Sequence, residues 1–468
     1  DHNITFQELE SNFFLQGNFN LAENLDLQAT VGHNVNQRQT DQLAYRGLGY
    51  VVFDIDQIRN TNAVTPYRPG VIEGLSKRRL VGVYADATLA YDNWAYFNVS
   101  ARNDWSSTLA PDNRSYFYPA VSASVSVLDA LDITDDVFDF VKLRGGYAQV
   151  GNDADPYLLA TTFLTNGTLA TSPAPTVDLP FEGNPGSTLS RTAGNPDLLR
   201  EITKEYEVGL DVKMFKGRVD LSATYYDRRT IDQIIPITVP ESSGFVQFIT
   251  NFGEVSNKGV ELTLGLNPIR TPDFRWDLTG VFTRNRNVVE DLPDEVDEIR
   301  VGTSFAGSVF NVFIEGEEYG LLKGSTNART PEGDLLINPE NGQLIPNPDL
   351  EIVGNPNPDF IFSINNNFSW KGVRLGILWD WTQGGDLFSN QVQSMLGRGV
   401  LEFQGDRERN AVITGVYGNP LNQQAFVDEA GNYIDNQTMI EVNDLYFGNT
   451  FASNGQDEWT VFDATVFR

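Results

Sequence analysis

Between Leu15 and Val31 apolar and polar residues alternate one by one. Leu15, Gly17, Phe19 and Leu21 stand against Gln16, Asn18 and Asn20, and after Ala22-Glu23-Asn24 come Leu25, Leu27, Ala29 and Val31 against Asp26, Gln28 and Thr30. Side chains alternate faces along a strand, so this spacing predicts a β-hairpin with one apolar and one polar face. The pattern returns on both sides of Asp92-Asn93, with Val81 to Leu89 before it and Ala95 to Ala101 after it, and again at Val121, Ala123, Val125 and Val127. Tyr206 to Tyr225 forms a further pair around Phe215-Lys216-Gly217. Val260 to Leu266 faces Trp276, Leu278 and Phe282 across Pro268 to Pro272, and Val373, Leu375, Ile377, Trp379 and Trp381 follow the turn at Trp370-Lys371-Gly372.

The intervals between hairpins read differently. Asn34 to Arg78, Gly151 to Thr203, Arg228 to Lys258, Asn327 to Pro358 and Gln383 to Trp459 are polar and rich in Gly, Pro, Asn and Asp. Unstructured loops beyond about 12 to 15 residues are uncommon in compact soluble domains. Short turns at one end and long loops at the other instead describe an all-β, transmembrane antiparallel β-barrel. With a further hairpin around Glu315-Gly316, the pattern predicts about 15 strands. No segment approaches the roughly 18 consecutive apolar residues of a membrane helix.

Composition sharpens this reading. Aromatic residues make up 12 % of the 468, with 30 Phe and 41 Gly, which favours strands and turns. Trp94, Tyr96, Phe215, Tyr225, Tyr226, Trp276 and Trp370 fall near strand ends, where the aromatic girdles of a membrane barrel belong. The 63 acidic and 33 basic side chains give a net charge of −30, which excludes nucleic acid as a partner. There are no cysteines and only two histidines, His2 and His33, so disulfides, thiol nucleophiles and Cys- or His-rich metal centres are excluded. Charges on a lipid face cost about 2 to 4 kcal/mol near the midplane, so most of the charge is assigned to loops and lumen. The run Glu290 to Glu298 is read as a solvated loop. Asp54 with Asp56, and Asp153 with Asp155, are calcium candidates in external loops, although none has the spacing of an EF-hand loop. No other metal, cofactor or catalytic residue is expected.

Several segments then resemble one family. Arg102-Asn103-Asp104-Trp105-Ser106-Ser107 followed by Asn113-Arg114-Ser115-Tyr116-Phe117-Tyr118-Pro119, Val141-Lys142-Leu143-Arg144-Gly145-Gly146-Tyr147 with Gly151-Asn152, and Asn195-Pro196-Asp197-Leu198 occur in order. Asn251-Phe252-Gly253-Glu254-Val255-Ser256-Asn257-Lys258-Gly259-Val260-Glu261 follows, then Pro358-Asp359-Phe360 and Gly384-Gly385-Asp386. This series resembles the SusC/RagA family of TonB-dependent outer-membrane transporters. The resemblance implies a 22-stranded barrel, of which residues 1–468 would be an internal portion, without the leader, TonB-contacting segment, plug and last strands. It also implies a multi-pass protein of a Gram-negative, Bacteroidetes-like outer membrane, not an enzyme. Such a protein would import an oligomeric glycan or peptide with a SusD-like surface lipoprotein and energy delivered through TonB, in contact with the lipid and lipopolysaccharide of its membrane.

On that reading Glu23, Asp92, Lys216, Pro268 and Lys371 mark periplasmic turns, and Asp129 to Asp139 is a longer periplasmic connection, either a short helix or a turn. Aromatic rings stack on sugars, and amides and guanidinium groups bond hydroxyls or peptides, so Trp105, Asn113, Arg114, Tyr116 and Tyr118 are the substrate-binding candidates. Asn251, Gly253, Asn257, Gly259, Glu261, Pro358, Asp359, Phe360, Gly384 and Gly385 are assigned structural roles. The alternative is a soluble or surface-attached β-rich binding protein such as an adhesin, which would need a packed interior in place of a polar one. A glycosidase with paired carboxylates is a third class, unsupported by any marked acid or cleft.

Overall fold

The computed structural model describes residues 2–53, 55, 57–66, 73–164, 168–169, 177–178, 186–293, 296–305, 309–398, 400, 408–441, 444 and 457–468. The chain divides into two compact units, Asp1–Ser256 and Asn257–Arg468.

In the first unit, long strands follow one another as antiparallel neighbours: β1 (His2–Ala22), β2 (Leu25–Tyr50), β3 (Glu73–Tyr91), β4 (Ala95–Ser106), β5 (Ser115–Ser126), β6 (Phe138–Asn152), β7 (Glu201–Met214) and β8 (Val219–Thr238). Register keeps the two faces separate. Phe13, Leu15 and Phe19 lie opposite His33, Val31 and Leu27, and the row continues through Leu27 opposite Leu89 and Leu89 opposite Phe97. On the other face Thr30 lies opposite Asp86, Asp86 opposite Ser100, and Ser124 opposite Arg144. Two of the predicted tight turns carry left-handed residue pairs, Asp92-Asn93 and Phe215-Lys216, the backbone that matches strand twist in a hairpin. The connection after β5 begins as a one-turn helix, α1 (Val127–Ala130), and continues from Leu131 to Val137 as turn and irregular backbone, so both alternatives occur in it.

Two of the expected loops are strand for much of their length. β2 runs on to Tyr50, β3 starts at Glu73 and β8 continues to Thr238. Beyond the apolar stretch both faces are wet, so alternation disappears from the sequence while backbone pairing continues in unbroken register from Leu25–Tyr91 to Leu43–Glu73.

The strand β9 (Gln247–Arg270) enters the second unit, followed by β10 (Phe274–Asp291). A four-stranded sheet comes next: β11 (Glu298–Phe305), β12 (Val309–Ile314), β13 (Leu321–Gly324) and β14 (Glu351–Gly354). The hairpin predicted around Glu315-Gly316 belongs to this separate sheet. Glu298, from the acidic run, pairs there with Lys323, and Asp294 and Glu295 lie outside the described residues. Burial pushes the Glu298 carboxyl up, but Lys323 and Arg300 outweigh it and hold the group below its ordinary range.

β15 (Pro358–Trp370) then pairs with β10 and with β16 (Val373–Gly384). One face carries Trp276, Phe368 and Leu375 in a row and Phe282, Phe362 and Trp381 in another; the opposite face carries Asp277 with Asn367 and Ser363 with Asp380. A polar residue also stands on the apolar face. Asn366 lies on the apolar face, only 6 % exposed, and its Oδ1 accepts the Trp276 indole N–H at 3.2 Å, while that indole stacks on Phe368 at 5.6 Å.

The stretches 327–358 and 408–441, read from sequence as polar loops, hold a compact repeated element. Asn338-Pro339-Glu340-Asn341-Gly342-Gln343 and Asn419-Pro420-Leu421-Asn422-Gln423-Gln424 share an Asn-Pro-x-Asn-x-Gln pattern and the same bonds. In each, the first Asn N–H donates to the Gln carbonyl (2.8 and 2.9 Å) and its carbonyl accepts the N–H of the fifth residue (2.8 and 2.9 Å). Its Oδ1 caps the N–H of the third residue, at 3.0 Å in Asn338 and 2.9 Å in Asn419. The fifth residue is left-handed in both, φ 72° at Gly342 and 53° at Gln423. Leu336 and Val416 pair in parallel between the two turns and are buried with Ala328 and Ile345. A smaller turn closes beside the second copy, where Asp428 Oδ1 accepts the N–H groups of Asn432 and Ala430, both at 2.9 Å.

Two outcomes follow from this packing. Trp276→Phe leaves the Asn366 amide without its donor in apolar surroundings and costs about 1 to 3 kcal/mol. The double change with Asn366→Leu restores most of that loss, as read from urea midpoints of the barrel refolded in lipid. The bonds from Asn432 hold the Asp428 carboxyl below its ordinary range. A depressed native value means its support is complete above the unfolded carboxylate pKa of about 3.9 and is lost as pH falls through the native one. Corrected amide exchange at Asn432 therefore stays flat from pH 7 to 5 and rises below about 3.9, and Asp428→Asn removes the step.

Candidate functional site: the polar face of the first unit

The even-numbered residues of β3, β4 and β5 bring one ion pair to the polar face and the arginine of a second, which Asp153 completes just after β6. Arg102 pairs with Asp104, two residues along the same strand, through Nε (2.9 Å) and Nη2 (2.8 Å) to Oδ1. Tyr118 Oη donates to the other oxygen, and the Arg102 guanidinium lies over the Tyr84 ring at 5.8 Å. Tyr84 Oη in turn donates to Asn12 Oδ1 at 2.9 Å. Gly82 makes room for this: a Cβ there would lie 2.3 Å from both Arg102 Nη2 and Asp104 Oδ1.

The second pair is deeper. Arg78 bonds both oxygens of Asp153, with Nε to Oδ2 at 2.9 Å, and the buried hydroxyls of Ser106 and Thr108 donate to the same carboxylate. Asp153 therefore spends its carboxylate on one arginine and two hydroxyls, which corrects its reading as a calcium ligand. Asp155 is exposed beside it, and Asp54 and Asp56 lie outside the described residues. Among the described residues no three acidic or histidine side chains converge as metal ligands.

The other sequence candidates separate by face. Tyr118 faces the polar side with Arg102. Tyr116 is on the same side but only 4 % exposed, packed with Leu109, Ala154, Leu198 and Ile249, and a Cβ on Gly151 would sit 2.6 Å from its ring. Asn113 donates to the carbonyls of Asp197 (3.3 Å) and Leu198 (3.2 Å), so its amide ties loops together. Arg114 is exposed, and its carbonyl accepts the Ser106 N–H. Trp105 lies opposite Val81, on the apolar face, because its odd number places it with Phe97 and Val99; it is removed from the polar-side candidates.

Among the motif residues, Asn251 exchanges bonds with the Leu199 backbone and donates to the Asp232 carbonyl at 2.9 Å. Gly253 is left-handed at φ 59°, and Gly259 and Glu261 continue β9. Asn257 Oδ1 accepts from Asn285 at 3.3 Å. Pro358 lies opposite Gly384, whose left-handed backbone, like that of Gly385, turns beside Asp359, and Phe360 meets Trp381 edge-on at 5.2 Å.

Two recesses open on the polar face. One of about 670 Å³ is lined by Glu10, Asn12, Asn34, Tyr84, Asp86 and Arg102. The other, about 370 Å³, is lined by Ser122, Ser124, Lys142, Arg144, Glu205 and Glu207. Arg144 pairs there with Glu207 and, at 3.5 Å, with Asp211, in space that a Cβ on Gly209 would occupy at 2.5 Å. Amides, hydroxyls, paired charges and rings suit reversible binding of a polar solute. Sequence reading missed Arg78, Arg102, Asp104 and Arg144. Strand parity marks the last three, whereas Arg78 finds Asp153 across 75 residues, with no local signal.

Exposed apolar faces backed by polar ones define the wall of a membrane β-barrel. The family model described as TonB dependent receptor-like, beta-barrel matches residues 2–467, and the chain belongs to that family. TonB-dependent receptor P26 of Formosa agariphila is 27 % identical over 399 residues, covering 80 % of this chain and 39 % of the relative. TonB-dependent receptor SusC of Bacteroides thetaiotaomicron is 28 % identical over 221 residues, 46 % of this chain and 21 % of the relative. The RagAB peptide transporter structure matches all of this chain and 49 % of its own with a TM-score of 0.70 at 17 % identity, a likeness of fold. The chain spans less than half the length of these relatives. The apolar face is thus the lipid face and the polar face the lumen, the protein belongs to the outer membrane, and its family is one of receptors and transporters rather than enzymes.

Arg102→Ala strands the Asp104 carboxylate, whose side chain is 4 % exposed, and costs about 3 kcal/mol. Adding Asp104→Ala costs less than the sum of the two single changes, with a coupling of about 1 to 3 kcal/mol in a urea-unfolding double-mutant cycle.

Proposed function

We propose that this chain forms wall and outer loops of an importer that takes an oligomeric nutrient, a glycan or a peptide, from a SusD-like surface lipoprotein and passes it inward with energy delivered through TonB. The observation that carries this reading is the 670 Å³ lumenal recess, where the Tyr84 ring, the Arg102 guanidinium and the amides of Asn12 and Asn34 face one space. A ring and a guanidinium give an extended solute a stacking platform, and neighbouring amides bond its hydroxyl or peptide groups. The resemblance to SusC/RagA transporters implies the pairing with a lipoprotein, and the likeness to RagAB, a peptide transporter, supports one of the two substrate classes.

Uptake of labelled oligosaccharide and oligopeptide pools by cells carrying the full-length transporter tests this. One pool is accumulated, accumulation stops when TonB is deleted, and Tyr84→Ala weakens binding of that pool about tenfold through loss of stacking. Uptake that persists without TonB sinks the reading.

A further inference from the structure

The lipid face of β2, β3 and β4 ends in an arrangement that import does not use. His33 and Val35 of β2 lie opposite Val83 and Val81 of β3, and Val81 lies opposite Trp105 of β4, so an apolar sheet surface rises to an exposed indole. Indoles favour the membrane–water boundary. One step further out on the same face, about 7 Å along the strand, Gln37 lies opposite Arg79, and one step beyond that Gln39 lies opposite Lys77. The register through these rows is unbroken, so both cations point to the outside of the barrel wall.

Their surroundings fit an anion. Arg79 Nε donates to Gln37 Oε1 at 2.7 Å, which braces the guanidinium and leaves its terminal nitrogens without a carboxylate. No ion pair forms at Lys77 or Arg79 among the described residues. Asp41, one row past Lys77 on this face, accepts the Gln39 amide at 3.0 Å. Ser107 is exposed after Trp105, and its hydroxyl accepts the Arg79 N–H at 2.8 Å. In a chain with 63 acidic and 33 basic residues, two unpaired cations above an indole and an apolar face are a specific combination.

We propose that this surface seats a phosphorylated glycolipid of the outer leaflet. Its acyl chains lie along Val35, Val81 and Val83, its phosphate sits between Arg79 and Lys77, and its sugars meet Gln37, Gln39 and Ser107. Anionic headgroups and basic side chains attract at such a boundary, and Arg matches phosphate with paired donors. The proposal concerns the outer surface of the wall and holds whatever solute the lumen carries.

The test uses the full-length transporter in detergent, with bound lipid counted by native mass spectrometry. The probes are lipid A bearing two phosphates, the same lipid A with both removed, and inorganic phosphate as competitor. The phosphorylated lipid binds the wild type, and Arg79→Gln or Lys77→Gln weakens it about fivefold and the double variant about thirtyfold. The dephosphorylated lipid binds the wild type no better than the phosphorylated one binds the double variant. Lys204→Gln, an outward cation elsewhere on the wall, has no effect, and inorganic phosphate displaces nothing. Equal binding of both lipids, equal binding by wild type and double variant, an equal loss with Lys204→Gln, or displacement by inorganic phosphate overturns the proposal. If the double variant does not assemble, the comparison of the two lipids on the wild type decides alone.

Discussion

A strand in lipid has no water with which to satisfy its backbone, so each N–H and C=O must pair with a neighbouring strand. Pairing fixes register, and register fixes which side chains meet lipid. A slip of one residue anywhere in β2 would turn Asp26, Thr30 and Asn34 outward and Leu27 and Val31 inward. The unbroken pairing from Leu25–Tyr91 to Leu43–Glu73 is therefore the condition on which both faces rest. The exceptions obey the same physics. Asn366 is admitted to the apolar face because the Trp276 indole supplies a donor there.

The polar face inherits its organisation from that register. Arg102 and Asp104 share a face because they are two residues apart on one strand, and Arg144 meets Glu207 and Asp211 because β6 and β7 are paired. Small residues opposite these groups decide how they sit. Gly82 and Gly209 leave the volumes that the guanidinium groups of Arg102 and Arg144 occupy. The guanidinium groups of Arg78, Arg102 and Arg144 are thus paired before any solute arrives, and a solute would compete for them rather than meet bare ions.

The hairpins were legible in the sequence because a wall with one lipid face and one wet face must alternate, as Leu15 to Val31 and Val373 to Trp381 do. Strand length was not legible. Beyond the lipid both faces of β2 and β8 are solvated, and nothing distinguishes Gln37 to Tyr50 from a loop except pairing with distant residues. Tyr118 could be found from the motif that contains it. Trp105 was misassigned because an aromatic next to a conspicuous turn reads as a contact residue unless its parity is counted. Asp153 read as a cation ligand because its partners Arg78, Ser106 and Thr108 are 45 or more residues away.

The twin Asn-Pro-x-Asn-x-Gln turns have a consequence for how such a surface changes over time. Each closes on its own backbone and amide bonds, and beyond them the pair asks only for the shared Leu336–Val416 contact and a bond from Thr438 to the Pro339 carbonyl. An insertion of one whole turn lengthens the excursion at little entropic cost and shifts no register in the wall. The barrel is intolerant of a single added residue in a strand, yet it carries on the same chain a cassette that can be copied, retuned or lost. Glu340 in one turn and Leu421 in the other show that the tip takes either side chain on the same frame.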